Sequence, residues 1–180
     1  MPDNATEIEV KQLEPGDKVT GLSLGDAAFT ALKTFFQKHA KSYEAQSLAR
    51  TYVAYDRNGS SRPVAFITIV CSEVETTAEH SLLGEDVPFQ YRGYPAVKLA
   101  RLAVDTRYRK SGVGRALVDI ALGVVKTSVC PSVGCRFMVV DSKRQSVNFY
   151  EKCGFTMLDT DENRRRDEPV MFIDLHKIET

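Results

Sequence analysis

A chain of 180 residues is long enough to form one domain with a sizeable α/β core, and one domain is expected over residues 1–180. Its 24 Lys and Arg residues balance 24 Asp and Glu, so no global basic field draws it towards nucleic acid, which leaves only local patches. Cys71, Cys130, Cys135 and Cys153 form no C-x-x-C pair, and His39, His80 and His176 are scattered; both facts argue against a metal site and for reduced, structural thiols.

The polar start of the chain, up to Glu9, has no apolar segment of the kind a signal peptide needs. Ile8, Val10 and Leu13 alternate with charged neighbours and predict a first strand, closed by Pro15-Gly16-Asp17. Between Asp26 and Lys38, Phe29, Leu32, Phe35 and Phe36 recur at helical spacing, and a second short helix is expected across Tyr43 to Leu48. Thr51–Tyr55 and Pro63–Cys71 read as a hairpin turned by Asn58-Gly59. The stretch from Ser72 to Tyr94 is too long for a tight hairpin and reads as a long loop, a class that often carries function.

The most informative stretch runs from Ala96 to Val124. An apolar run to Val104 predicts a strand, and Val113, Leu117, Ile120, Ala121 and Val124 mark one face of an amphipathic helix. Between them lies Arg109-Lys110-Ser111-Gly112-Val113-Gly114, a glycine-bearing turn that suits an anion held by backbone N–H groups at a helix N-terminus. It is neither G-x-G-x-x-G nor G-x-x-x-x-G-K-[ST]. Cys130-Pro131-Ser132-Val133-Gly134 then reads as a break, Arg136–Val140 as a buried strand, and Asp141-Ser142 as the cap of a helix from Lys143 to Lys152 ended by Gly154. Phe155–Leu158 and Val170–Leu175 predict two last strands around a charged connector in which Arg164, Arg165 and Arg166 read as a solvated turn. With no long uncharged apolar run, the expectation is a cytoplasmic protein without a membrane partner.

R-x-x-G-x-G after an apolar strand resembles the acetyl-CoA pyrophosphate loop of the GNAT family of N-acetyltransferases. The segment Asn148-Phe149-Tyr150-Glu151-Lys152-Cys153-Gly154-Phe155 resembles that family's late F-Y-x-x-x-G-F motif, in the family's order. The resemblance implies an α/β (α+β) fold: a mixed, mostly antiparallel sheet of about six to seven strands flanked by about four helices. It also implies acetyl-CoA as cosubstrate, no metal, and direct transfer to a primary amine of a small molecule or peptide.

By the same resemblance, Leu102, Ala103 and Val104 offer main-chain groups to the pantetheine arm, on a strand that parts from its successor. Arg109, Lys110, Gly112, Val113, Gly114 and Arg115 wrap the pyrophosphate, and Tyr150 protonates the departing thiolate. Relatives often carry a cofactor-binding asparagine where this chain has Lys143, and Asn148 is the nearest stand-in. The base is open: Glu73, Glu75 or a water. The loop over the acceptor, with Glu73, Glu75 and Tyr91, favours a cationic amine.

Leu48-Ala49-Arg50-Thr51-Tyr52-Val53 and Leu99-Ala100-Arg101-Leu102-Ala103-Val104-Asp105 resemble the branch of toxins that acetylate aminoacyl-tRNA and pair with antitoxins. Arg92, Lys98, Arg101 and Arg107 add to the basic residues of the turn as a surface for tRNA phosphates. Set against the neutral chain, tRNA is kept as an alternative partner and is not favoured. A non-catalytic acyl-CoA-binding module is a further alternative. The identity of the amine acceptor is open, as is the oligomeric state, a homodimer included.

Overall fold

The computed structural model describes residues 7–57, 62–75, 82 and 92–178. Its seven strands form one sheet in the order β1-β2-β3-β4-β5-β7-β6. They are β1 (Ile8–Gln12), β2 (Arg50–Asp56), β3 (Pro63–Glu75), β4 (Gly93–Val104), β5 (Phe137–Asp141), β6 (Thr156–Met157) and β7 (Val170–Asp174). Pairs β1–β2, β2–β3, β5–β7 and β6–β7 run antiparallel, and β4–β5 run parallel. The helices are α1 (Thr30–Lys38), α2 (Ala40–Ala45), α3 (Val113–Val124), α4 (Cys130–Val133), α5 (Val147–Lys152) and α6 (Asp161–Arg165). The expected mixed, mostly antiparallel sheet with flanking helices is therefore present.

The chain folds as two compact units. One comprises the chain up to Val70 with Ala100–Ala121; the other comprises Cys71–Leu99 with everything from Leu122. In the first unit, Leu13, Leu22, Leu24, Phe35, Phe36, Ala40, Val53, Tyr55, Phe66 and Ala103 form the core. Phe36 stacks on Phe66 with ring centres 4.5 Å apart, an offset-stacked distance that explains the helical phenylalanine stripe. A smaller core in the second unit joins Val74, Tyr94, Ala96, Phe137 and Val139.

Local differences from the sequence expectations have physical causes. The first helix begins as a 3-10 turn, Ala27–Phe29, with Asp26 capping Ala28 N–H at 2.8 Å. The second lies earlier than expected, at Ala40–Ala45, closed by Leu48 N–H on Tyr43 C=O at 2.9 Å. Strand β3 continues to Glu75, so Glu73 and Glu75 stand on a strand and not in a loop. In that extension Val74 is buried between exposed Glu73 and Glu75, the alternation of a half-buried strand. The expected Asn58-Gly59 turn and Tyr91 lie outside the described residues.

The expected break at Cys130–Gly134 comes only at Gly134. From Val113 to Val133 the helix is continuous, passing through a π-helical segment, Val125–Val129, just ahead of Pro131. Proline cannot donate an N–H and crowds the carbonyl four residues back, and a wider turn relieves both problems. By length and composition this helix is apolar enough to cross a membrane, with Arg115, Asp119 and Lys126 its charged residues. Leu117, Val118, Ala121 and Val125 are nevertheless buried, so one face of the helix packs against the protein.

Asp141 and Ser142 do not cap a helix. Asp141 pairs with Lys98, and Ser142 is drawn to Pro169 C=O through its N–H and to Lys143 C=O through its hydroxyl. A 3-10 turn, Arg144–Ser146, therefore precedes α5. The charged connector holds α6, capped by Thr160 and locked by buried Asn163, which donates to Leu158 and Val170 C=O and accepts Val170 N–H.

At the end of β4, Asp105 is fully buried and its carboxylate accepts four hydrogen bonds. They come from Ser23 N–H (2.8 Å), Arg107 N–H (3.0 Å), Arg107 Nε (2.8 Å) and Arg107 Nη2 (2.7 Å). Removing it strands two backbone donors, each at a cost of ~1–3 kcal/mol. Asp105→Ala should lower unfolding free energy by about 2–4 kcal/mol in a denaturant titration. A loss below ~0.5 kcal/mol, the range of ordinary surface changes, would show that the segment stands without it.

Candidate active site

The residues expected around the pyrophosphate all lie in the first unit and follow directly from Asp105. Thr106 N–H reaches Ser23 C=O at 2.9 Å as the chain enters a 3-10 turn, Thr106–Tyr108. The Tyr108 hydroxyl donates to Asp56 Oδ2 at 2.6 Å, and this bond pushes the Tyr108 phenol up from its ordinary value. Tyr108 C=O then accepts both the N–H (3.3 Å) and the hydroxyl (2.6 Å) of Ser111. The turn is thus tied at its root and open at its tip.

At the tip, Lys110 has φ +64° and Gly112 φ +90°. Gly112 meets the second requirement without strain, and a Cβ there would meet nothing within 4 Å. The first helical bond of α3 is Ala116 N–H to Gly112 C=O at 3.0 Å, so the N–H groups of Val113 and Gly114 precede it. Exposed Lys110, Ser111 and Gly112 border this helix start. An open backbone turn, a helix N-terminus and adjacent cations together fit a pyrophosphate.

Arg109 has a second task that its spacing did not reveal. Its Nη2 donates to Leu24 C=O at 2.6 Å, and its guanidinium carbon lies 5.4 Å from the centre of the Phe29 ring. The remaining donors of its planar fork are the ones left for an anion. Arg115 pairs with Asp119 at 3.7 Å where both side chains are more than half exposed, a contact worth little in water.

Gly25 completes the cradle: with φ +79°, it brings the backbone so close to Thr106 that a Cβ would stand 2.9 Å from Thr106 Cγ2. Asp105 and the segment Ser23 to Gly25 were missed as site-building residues. The only signal available was an aspartate directly after an apolar strand. A cavity of about 270 Å³ in the same unit, lined by Gln12, Lys41, Glu44 and Arg50, shares no residue with the turn.

On β4, Leu102 and Val104 are half-buried and Ala103 joins the first core. The parallel ladder with β5 covers Ala96 to Lys98 and stops there, although β4 runs on to Val104. That limit agrees with a strand that parts from its successor.

Tyr150 and Asn148 stand in the second unit, on α5. Tyr150 is 7% exposed, with the Phe149 and Phe155 rings edge-on at 5.1 and 5.5 Å. Burial pushes its phenol well above the ordinary value, with Cys153 adding to the effect. Among the described residues its hydroxyl takes no hydrogen bond. Gly154, at φ +94°, ends the helix as expected, with its N–H on Glu151 C=O at 2.9 Å. Asn148 and Lys143 are both exposed. Among the described residues no His, Cys, Asp and Glu group could hold a metal ion.

The sequence matches the acetyltransferase (GNAT) domain over residues 47–157. The fold is shared over most of the chain with solved structures. AtaT complexed with acetyl-methionyl-tRNAfMet has a TM-score of 0.78 and 21% identity, with 94% of this chain and 96% of that chain covered. A tyrosine-to-phenylalanine mutant of KacT gives 0.77 and 22%, covering 94% and 95%. A tyrosine-to-phenylalanine mutant of the AtaT toxin, bound to the C-terminus of the antitoxin AtaR and acetyl-CoA, gives 0.72 and 22%, covering 94% of each.

These neighbours correct one expectation. Zero net charge made tRNA an alternative partner that was not favoured, yet AtaT, with the same fold, is seen with an acetylated aminoacyl-tRNA and also with an antitoxin. The domain match covers well over half of the residues and includes both the glycine turn and Tyr150, so the chain belongs to the GNAT family of acetyltransferases.

Proposed function

We propose that this protein transfers the acetyl group of acetyl-CoA to the α-amine of an aminoacyl-tRNA, as the toxin of a toxin–antitoxin pair. The observation that carries the reading is the likeness to AtaT and KacT, which extends over 94% of this chain and not merely the glycine turn. A charged-tRNA acceptor places the reaction in the cytoplasm.

The chemistry asks little of a protein base. An α-amine near pKa ~7.7–8 is about a quarter neutral at pH ~7.4, whereas a lysine amine near ~10.4 is neutral about one time in a thousand. The neutral nitrogen attacks the thioester carbonyl, an N–C bond forms, the C–S bond breaks, and the amine gives up its proton to water. Acetyl-CoA supplies the activated acyl group and a thiolate leaving group.

Tyr150 acts on that thiolate. Burial raises its phenol far above a thiol near ~8.5, so full proton transfer is uphill and the phenol stays neutral. A neutral phenol held among rings is a donor aimed at developing negative charge, which is stabilisation by hydrogen bonding. The turn holds the other end of the donor: Val113 and Gly114 N–H at the helix start, Lys110 and the free edge of Arg109 take the pyrophosphate. Main-chain groups of Leu102, Ala103 and Val104 take the pantetheine arm, and exposed Asn148 on α5 is available to it.

Gly112→Val puts a β-branched residue at φ +90° on an exposed turn with open space around it. Calorimetry should show acetyl-CoA affinity falling at least ~10-fold, since one hydrogen bond to a charged group is worth ~1.5–3 kcal/mol, while the strain of a side chain at this φ, ~1–3 kcal/mol, lowers the thermal transition by a few degrees and leaves the protein folded. An unchanged Kd would take the turn out of the site.

For Tyr150→Phe, kcat should drop by on the order of 10²–10³-fold at unaltered acetyl-CoA affinity, the loss of one preorganised donor. Full kcat at saturating substrate would make Tyr150 a packing residue.

The acceptor is tested by initial rates on a panel of charged tRNAs and of free amines across salt concentrations. Acetylation of charged tRNA should fall steeply as salt screens phosphate contacts. Efficient, salt-insensitive turnover of a free amine, with none on any charged tRNA, would overturn the toxin reading.

A further inference from the structure

Arg101 is a cation that the first unit half-buries without supplying a counter-ion. Its guanidinium carbon lies 3.7 Å from the centre of the Phe35 ring. Burial pulls its pKa down from the ordinary arginine value, and Tyr43 pulls it partly back. Four other arginines have acceptors. Arg107 has Asp105, Arg136 has Asp174, Arg50 has Glu44, and Arg109 has Leu24 C=O. Arg101 has no hydrogen bond or ion pair among the described residues. Taking a guanidinium out of water with no acceptor is unfavourable, and a ring beneath it offsets only part of that loss.

The surroundings are built. On β4, strand alternation puts Arg101 on the face of Leu99 and Ala103, and opposite Leu102 and Val104. Phe35 is fixed from below by Phe66, at 6.5 Å between ring centres, and from the side by Tyr43, edge-on at 5.3 Å. His39 lies 6.5 Å from Tyr43, again centre to centre. The result is a flat cation on an aromatic floor, half-exposed, with up to five N–H donors uncommitted.

Unpaired nucleotides are recognised by this combination: bases stack on aromatic rings and guanidinium planes, and their phosphates and edges accept from arginine. In charged tRNA the amino acid's carboxylate is esterified, so the anion available near the reacting amine is a phosphate. We propose that Arg101, supported by Phe35 and Tyr43, receives the unpaired 3′-terminal nucleotide of the charged tRNA. This deepens the aminoacyl-tRNA reading and rests on it.

The test uses the full chain, wild type, Arg101→Met and Arg101→Lys, with three acceptors carrying the same amino acid. They are the charged tRNA, a 3′-aminoacylated adenosine 5′-phosphate, and the amino-acid amide, which has no nucleotide. Arg101→Met should raise KM for the two nucleotide acceptors by ~10–100-fold with kcat and acetyl-CoA Kd held, the loss expected for a charge-assisted hydrogen bond. Its KM for the amide should not move. Arg101→Lys keeps the charge without the plane, so its KM should also rise, by less.

Wild-type KM for the nucleotide acceptors in both variants would overturn the inference while leaving the acceptor reading intact. A kcat loss at constant KM would overturn it too, by making Arg101 a support of the chemistry. Failure of the wild-type enzyme on every charged tRNA would instead sink the acceptor reading itself. Should Arg101→Met fail to fold, Arg101→Lys decides alone: wild-type KM in that variant overturns the stacked nucleotide.

Discussion

The buried carboxylate of Asp105 is the constraint on which the anion-binding turn depends. A fully buried anion is tolerable only when surrounded by donors, and here four N–H groups converge on two oxygens. Two of them are main-chain groups from segments far apart in sequence, Ser23 and Arg107. The same knot therefore ends β4, holds the chain around Ser23 to Gly25, and aims the following residues into the turn. Arg109, reaching Leu24 C=O, fastens the next step of the same path.

Burial plays a different part at Tyr150. There the surroundings are rings, not donors, and among the described residues nothing accepts from the hydroxyl. A carboxylate in that position would be driven to take up a proton, whereas a phenol simply remains the neutral species it already was. The two sites thus use low polarity oppositely: one neutralises charge with hydrogen bonds, the other preserves a neutral donor by withholding them.

Much of this was legible in the residues, and for identifiable reasons. The turn announced itself because a φ of +90° requires glycine at 112, and α3 because Leu117 and Ala121 fall on one buried face. Other features were hidden by competition or by averaging. Asp141 and Ser142 look like a helix cap, but Lys98 and Pro169 engage them first. Glu73 and Glu75 looked like loop because the exposed face of a strand is as polar as a loop. Pro131 looked like a terminator because a π-helical segment cannot be anticipated from composition. Zero net charge was weighed against tRNA, yet a sum over the chain says nothing of one uncompensated guanidinium such as Arg101. Asn163, buried and making three main-chain hydrogen bonds, was passed over inside a charged connector.

The cradle has one more property. Asp105 reaches Ser23 through its N–H, Thr106 reaches Ser23 through its C=O, and Arg109 reaches Leu24 through its C=O. Every recipient is a peptide group, which any amino acid but proline presents equally. The side chains at 23 and 24 can therefore drift across descendants of this sequence without loosening the knot, limited by packing alone. Gly25, pressed against Thr106, has no such freedom. A cradle of this kind leaves little trace in sequence comparison: the side chains of Asp105 and Arg109 are visible, but their partners at 23 and 24 are written in an alphabet common to all residues.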